Sequence, residues 1–169
     1  MAATGVYTTI YREKLAMLSA DDLADDQKID MSVLYFQVGE GGFEELPNTD
    51  KVPKTPVASM TALEAPTAMS AALGDNPLGG YFTKMLTAAQ VSRQGRDVTV
   101  NCILSANEAG LDQSSKLSGN TNGNPKLFEL GVFDGDPQTG IATLIAYCTF
   151  DEVVKVAGVQ VSINVTIRY

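Results

Sequence analysis

The chain has 169 residues, enough for one domain with its own hydrophobic core, and we interpret 1–169 as a single domain. Its formal net charge is −8 with 12 lysines and arginines, which argues against partners such as nucleic acid or an anionic membrane surface. The absence of histidine excludes a Ser-His-Asp or Cys-His catalytic pair and a histidine-ligated zinc site. Charged residues make up 19% of the chain, below the roughly 25% of typical soluble domains, which favours a surface partly covered by other proteins.

The N-terminus and the two cysteines indicate the compartment in which the protein is made. Met1–Tyr7 lacks the basic and apolar regions of a signal peptide, and no apolar run is long enough for a membrane-spanning helix. We therefore expect synthesis in a cytoplasm. Cys102 and Cys148 each lie in an apolar, strand-like run, so we expect reduced, buried thiols rather than a disulfide framework.

A helix is predicted over Thr8–Ser19, because Ile10, Leu15 and Leu18 fall on one face at helical spacing. A polar loop follows, and its acidic cluster consists of Asp21, Asp22, Asp25 and Asp26. The cluster lacks the alternating spacing of a calcium-binding loop, so we interpret it as solvated charge.

A central, buried strand is predicted over Ile29–Val38, because both of its faces are apolar. Leu34, Phe36 and Val38 alternate toward one face. The strand ends in a turn made of Gly39, Glu40, Gly41 and Gly42. Glycine allows the positive φ angles of such a turn, and the lysine and helix start of a phosphate-binding loop are missing.

Residues 43–80 form the least regular part of the chain and contain five prolines. We predict a proline-rich arm there, because long connections without periodic pattern are usually functional or ordered by a partner. Residues 107–126 are rich in glycine, asparagine and serine and are predicted to form a flexible loop. We expect one of these two segments to contact another chain; the alternative is a pair of solvated surface loops.

The second half of the chain is strand-like. Lys84–Ser105 is predicted to form a hairpin, with strands Met85–Val91 and Val98–Leu104. Further strands are predicted over Leu127–Phe133, Leu144–Phe150 and Val159–Tyr169, the last with strict alternation of apolar and polar residues. With the helix, these strands predict an α+β fold: an N-terminal helix packed on a mainly antiparallel β-sheet or sandwich of about five to seven strands, with long loop arms.

Two groups of acidic residues could carry chemistry. Asp134 and Asp136 with Thr139 have the shape of a cation-binding turn, although aspartate and glycine are also ordinary turn formers. Glu129 lies in the middle of an apolar strand, where a carboxylate must be exposed or hydrogen-bonded. A catalytic pair needs a second carboxylate that the sequence does not nominate. We therefore predict no catalytic, cofactor-binding or metal-binding residues.

The order of several segments resembles a known family. The segments are Tyr7-Thr-Thr-Ile10, Val38–Gly42, Phe128–Asp134 and Leu144-Ile-Ala146. They are similar to the N-terminal domain of phage tail-collar fibre proteins, which attaches a fibre to the tail baseplate. The matching positions are Gly39, Glu40, Gly41, Gly42, Glu129, Gly131, Phe133 and Asp134.

The resemblance implies a structural virion protein of a phage tail rather than an enzyme, assembled with copies of itself and with other tail or baseplate proteins. Fibres of this family continue into shafts and receptor-binding tips, whereas this sequence ends at Tyr169. That difference favours a collar, baseplate or fibre-attachment adaptor, and no cofactor is implied. The alternative is a stand-alone ligand-binding β-domain, which would have a deep apolar pocket. A third interpretation is a carboxylate-based hydrolase, which would have two acidic residues in one cleft.

Overall fold

The computed structural model describes residues 4–13, 34–48, 50–67, 82–95, 97–108, 124–140 and 142–168. Within them, ten strands form three antiparallel sheets. The strands are β1 (Thr4–Tyr7), β2 (Tyr35–Gly39), β3 (Phe43–Glu45), β4 (Lys51–Pro53), β5 (Thr83–Met85), β6 (Val91–Gln94), β7 (Asp97–Leu104), β8 (Lys126–Phe133), β9 (Leu144–Val154) and β10 (Val161–Arg168).

Two of the sheets pack face to face as a β-sandwich. The larger has the strand order β1-β9-β8-β2-β5, and the smaller has the order β10-β7-β6. Alternating apolar residues of both sheets join in one core cluster, because each strand turns every second side chain inward. Its members include Phe36, Val38, Cys102, Leu104, Leu130, Val132, Cys148, Phe150, Ile163, Val165 and Ile167.

A third layer covers the outer face of the larger sheet and is made from residues 40–67. The β3–β4 hairpin rests on the sheet through Phe43, whose ring centre lies 4.7 Å from that of Phe128. Lys54 accepts a hydrogen bond on its carbonyl from the Thr149 hydroxyl at 2.7 Å. Further along, Leu63 packs with apolar side chains of β8 and β9. The described part of the predicted arm is thus paired to its own domain, whereas residues 68–81 lie outside the described residues.

The predicted α+β class is wrong, because the fold is β-rich, with 50% of the described residues in strands and 10% helical. At the N-terminus the described helical residues are 9–13. Ile10, expected on a packed face, is 38% exposed, and the buried residue is Tyr11, whose ring stacks on Tyr7 of β1 at 5.4 Å. The amide of Tyr11 donates to the Thr8 hydroxyl, so Thr8 caps the start of these helical residues. The rest of the predicted helix and the acidic cluster fall in residues 14–33, which lie outside the described residues.

The strand predictions fare better. β2 is a central strand with Leu34, Phe36 and Val38 buried, as expected. The predicted alternation at the C-terminus is confirmed in β10, where Ile163 is buried and the neighbouring Asn164 is exposed. No helix in the described ranges has the length and apolar character needed to cross a bilayer.

In the predicted hairpin, the second strand and the turn are confirmed and the first strand is wrong. β6 and β7 pair around a turn at Gly95, which has a φ of 62°. The strand predicted over Met85–Val91 is wrong, because β5 ends at Met85 in the larger sheet and Ala88–Gln90 forms a 3-10 turn before β6 begins in the smaller one. The Gln90 side chain accepts from the Thr87 amide, and this capping contact turns the chain from one sheet to the other.

Candidate functional site

Strand pairing brings the two halves of the sequence motif together. β2 and β8 are antiparallel neighbours, and their register places Gly39 opposite Glu129 and Gln37 opposite Gly131. The glycine turn that follows β2 therefore lies beside the middle of β8. The outer layer runs over the same place, because Gly39 and Pro66 form an isolated β-bridge.

The centre of this region is the carboxylate of Glu129, which is 0% exposed. Its Oε1 accepts a hydrogen bond from the Ala65 amide at 2.8 Å. Its Oε2 accepts from the Glu64 amide at 3.0 Å and from the Tyr147 hydroxyl at 2.7 Å. Three donors aimed at two oxygens satisfy a buried carboxylate, as the sequence required. We call Glu129, Tyr147, residues 64–65 and the turn 39–42 the Glu129 cluster.

The glycines of the turn pack so closely on Glu129 that there is no room for a side chain at their positions. A Cβ on Gly39 would overlap Oε1 of Glu129 and would lie 2.7 Å from the carbonyl oxygen of Ala65. Gly42 has a φ of 74°, which side-chain-bearing residues rarely adopt, and a Cβ there would lie 2.9 Å from Cβ of Glu129. The Glu40 amide also holds this turn in place, because it donates to the Ala65 carbonyl at 2.9 Å.

An ion pair lies on the exposed side of the cluster. The ammonium of Lys54 is 2.7 Å from Oε2 of Glu64, and that oxygen also accepts from the Gly42 amide at 3.3 Å. The hydrogen bond to Glu64 raises the pKa of Lys54 above its ordinary value. Glu64 therefore binds the turn through its side chain and Glu129 through its backbone, so one residue joins both.

Tyr147 is the neutral donor of the cluster. Burial raises the pKa of its hydroxyl well above the ordinary tyrosine value, and the hydrogen bond to Glu129 raises that pKa further. The hydroxyl therefore keeps its proton across the physiological range and donates it to the carboxylate.

Five of the eight motif positions, the turn 39–42 and Glu129, belong to the Glu129 cluster. Gly131 lies beside it and leaves room for Leu63, because a Cβ on Gly131 would lie 2.5 Å from Cδ1 of Leu63. Phe133 packs on the same leucine. The side chains of Glu40 and Asp134 are bound elsewhere: that of Glu40 accepts from the Lys126 amide at 3.1 Å, and that of Asp134 accepts from the Thr143 amide.

The geometry gives Glu129 a structural role. A general acid or base must reach a proton of its substrate, whereas both oxygens of Glu129 are engaged and enclosed. The sequence did not reveal Glu64 or Ala65, since they contribute backbone amides that any residue carries. Tyr147 could have been found from the β8–β9 register, which pairs it with Gly131, two positions from Glu129.

The candidate cation-binding turn is built from capping contacts. Asp136 caps the 3-10 turn Pro137–Thr139 by accepting from the Gln138 amide at 2.9 Å. The Thr139 hydroxyl donates to the Asp136 carbonyl at 2.7 Å. Across the described residues, no three His, Cys, Asp or Glu side chains are grouped so as to hold a metal ion.

Both cysteines are free and buried, as predicted. Cys102 is 0% exposed and Cys148 is 1% exposed, on strands of opposite sheets in the core. Burial raises the pKa of Cys148 to about 12 and raises the pKa of Cys102 as well. Both thiols are therefore protonated and poor nucleophiles at neutral pH.

A cavity of about 240 Å³ opens on another side of the sandwich, where the edge strand β1 meets the edge strand β10. Its lining is mainly apolar with one guanidinium, and consists of Val6, Tyr7, Arg12, Ala146, Val165, Thr166 and Ile167.

No protein-family model matches the chain, and no curated protein and no solved structure is significantly similar to it.

Proposed function

We propose that this chain is a structural virion protein of a phage tail, a collar, baseplate or fibre-attachment adaptor that acts through protein–protein assembly rather than catalysis. One observation carries the proposal. The two motif segments that resemble tail-collar fibre proteins are distant in sequence, yet five of their eight matching positions lie in the Glu129 cluster, and Gly131 and Phe133 pack beside it on Leu63. A motif whose members cooperate in space is better grounds for the resemblance than short strings of common turn residues.

The cluster also suits an assembly role. It fixes residues 63–67 and the β3–β4 hairpin as a rigid layer on the larger sheet, through hydrogen bonds to buried groups. An ordered outer layer presents a fixed surface to a neighbour, which lowers the entropy lost on association. The low content of charged residues agrees with a surface that is partly covered in the particle.

The test is the location of the protein. Virions of the phage whose genome carries this sequence should be purified and analysed by quantitative mass spectrometry and by immunogold electron microscopy with an antibody to the chain. We expect a fixed copy number per virion and gold at the tail. Virions that lack the chain would overturn the proposal.

A ligand-binding β-domain is the second candidate, and the cavity at Arg12 is the observation that favours it. Its apolar lining with a single guanidinium suits an aromatic or aliphatic anion. The dye 8-anilinonaphthalene-1-sulfonate has that chemistry. Saturable binding by a monomeric protein, lost in Arg12→Ala, would favour this function over assembly.

A further inference from the structure

The cavity between β1 and β10 has the size and chemistry of a socket for one large apolar side chain. An apolar cavity of about 150 Å³ is enough to hold benzene. The cavity here has about 240 Å³, and its lining includes Val6, Val165 and Ile167. Arg12, the charged residue among the described lining, is itself exposed and can donate hydrogen bonds to a carboxylate next to the apolar group.

The same chain carries a matching projection at the tip of the β3–β4 hairpin. Leu46 follows β3 and is 40% exposed, so its apolar side chain is accessible to a partner. Glu44 is exposed two positions earlier, so strand alternation places its side chain on the same side as Leu46. The hairpin tip is ordered by the Leu46 amide, which donates to the Asp50 carbonyl at 2.8 Å.

The projection and the socket lie toward opposite ends of β9. Ala146, which lines the cavity, is near the beginning of that strand. The hairpin packs through Phe43 on Phe128, whose neighbour Leu127 pairs with Val153 near the other end. At about 3.3 Å per residue, the two ends are separated by roughly 20 Å. Leu46 is therefore badly placed to fill the cavity of its own chain, and a second copy can receive it.

We propose that Leu46 of one copy inserts into the β1–β10 cavity of the next copy, with Glu44 of the first facing Arg12 of the second. This contact rests on the proposed assembly function and names the partner as an identical chain. It is heterologous, since different surfaces meet, so repetition gives a closed ring or an open filament according to the rotation between copies. Opposite charges at the rim orient the insertion, and the apolar side chain provides the desolvated centre.

The contact is tested by sedimentation velocity of the purified full chain over a concentration series. Wild-type protein should sediment faster as concentration rises. Leu46→Glu and Arg12→Glu should each weaken self-association by about tenfold or more. Met85→Glu is the matched control, because Met85 is 52% exposed and lies on β5, at the opposite edge of the larger sheet from β1. It should assemble like wild type.

Charge exchange separates this contact from a general loss of stability. Glu44→Arg alone should weaken association, and Glu44→Arg combined with Arg12→Glu should restore it, since the pair is re-formed with reversed sign. All variants should keep the wild-type circular dichroism spectrum, because the changed side chains are exposed.

The outcomes distinguish the two proposals. Wild type that assembles while Leu46→Glu and Arg12→Glu assemble equally well overturns this contact and leaves the proposed function standing. Wild type that stays monomeric at every concentration overturns the contact, and the virion measurement then decides the function separately. Restoration in the double exchange supports the contact.

Discussion

Two fully buried charged side chains are held in opposite ways. Glu129 is 0% exposed and accepts hydrogen bonds from two backbone amides and the Tyr147 hydroxyl. Lys155 is also 0% exposed, and its ammonium donates to the carbonyl of its neighbour Val156 at 3.0 Å. Among the described residues, the carboxylate is surrounded by donors aimed at it, whereas the ammonium has one carbonyl, that of the next residue in the chain.

The difference is reinforced by the charged neighbours of Lys155. Burial lowers the pKa of Lys155 below its ordinary value; Glu108 opposes this and Lys84 adds to it. The carboxylate of Glu108 is already engaged by Lys84 at 2.9 Å and by the Ser105 amide. A buried charge stabilises a fold when its partners are in place and costs free energy when they are shared. We therefore expect Glu129 to stabilise this protein and Lys155 to destabilise it.

The largest effect is expected at Glu129. Glu129→Ala removes the acceptor of three donors and leaves them buried without partners, which should lower the free energy of unfolding by about 4 kcal/mol. Glu129→Gln keeps the shape but turns an NH2 group toward a donor, and should cost about 2 kcal/mol. Denaturant unfolding measures both.

The control for Glu129 is Glu152→Gln, which removes an exposed carboxylate 3.2 Å from Lys126 and should change stability by less than about 0.5 kcal/mol. Equal effects at positions 129 and 152 would show that the hydrogen bonds of the cluster contribute little.

Gly39→Ala should lower the free energy of unfolding by about 3 kcal/mol, because the added methyl group collides with Glu129 and with the Ala65 carbonyl. Gly135→Ala is the matched control, since a Cβ there meets the nearest atom, Cβ of Ala142, at an ordinary 3.6 Å. Thermal denaturation of the two variants tests whether close approach, rather than glycine itself, is what the motif requires.

Tyr147→Phe should cost about 2 kcal/mol at neutral pH by removing one donor to a charged acceptor. The pH dependence gives a second readout. The pKa of Tyr147 is raised in the folded state, so its contribution is present below about pH 10 and is lost as the pH rises above that value. The stability of Tyr147→Phe should therefore fall less steeply than that of wild type above pH 10. Parallel curves would contradict the assignment.

Lys155→Met should raise the free energy of unfolding by about 1 kcal/mol at neutral pH, because the apolar stem is kept and the buried ammonium is removed. The pKa of Lys155 is lowered in the folded state, so wild type should regain stability as the pH rises toward about 10.4. Lys155→Met should lack that rise. A destabilised variant would show that the ammonium is better satisfied than its one carbonyl contact suggests.

The parts of the fold that sequence reasoning found are those with long period-two patterns. β10 was recognisable because apolar residues recur at every second position from Val161 to Ile167, and β2 because Phe36 and Val38 alternate at the end of the apolar run Ile29–Val38. The 3-10 turn at Ala88–Gln90 was missed, because its apolar composition imitates a strand while the Gln90 capping contact decides its conformation.

Part of the candidate site could also be predicted from the sequence. The motif glycines and Glu129 could be named from the sequence, and the need to satisfy a buried carboxylate followed from desolvation. Its donors could not be named, since Glu64 and Ala65 contribute backbone amides and lie in a segment without periodic pattern. That segment is ordered by long-range contacts with the sheet, which composition does not encode.

The most direct test of the Glu129 cluster is amide hydrogen exchange of Glu64 and Ala65 in wild type and in Glu129→Gln, followed by NMR. The reference is the amide of Leu86, which lies away from the cluster and donates to the Leu34 carbonyl at 2.7 Å; it reports opening elsewhere in the larger sheet of each protein. We predict that the substitution accelerates exchange at Glu64 and Ala65 at least tenfold more than at Leu86. Equal acceleration at all three amides would contradict the claim that Glu129 holds the outer layer on the sheet.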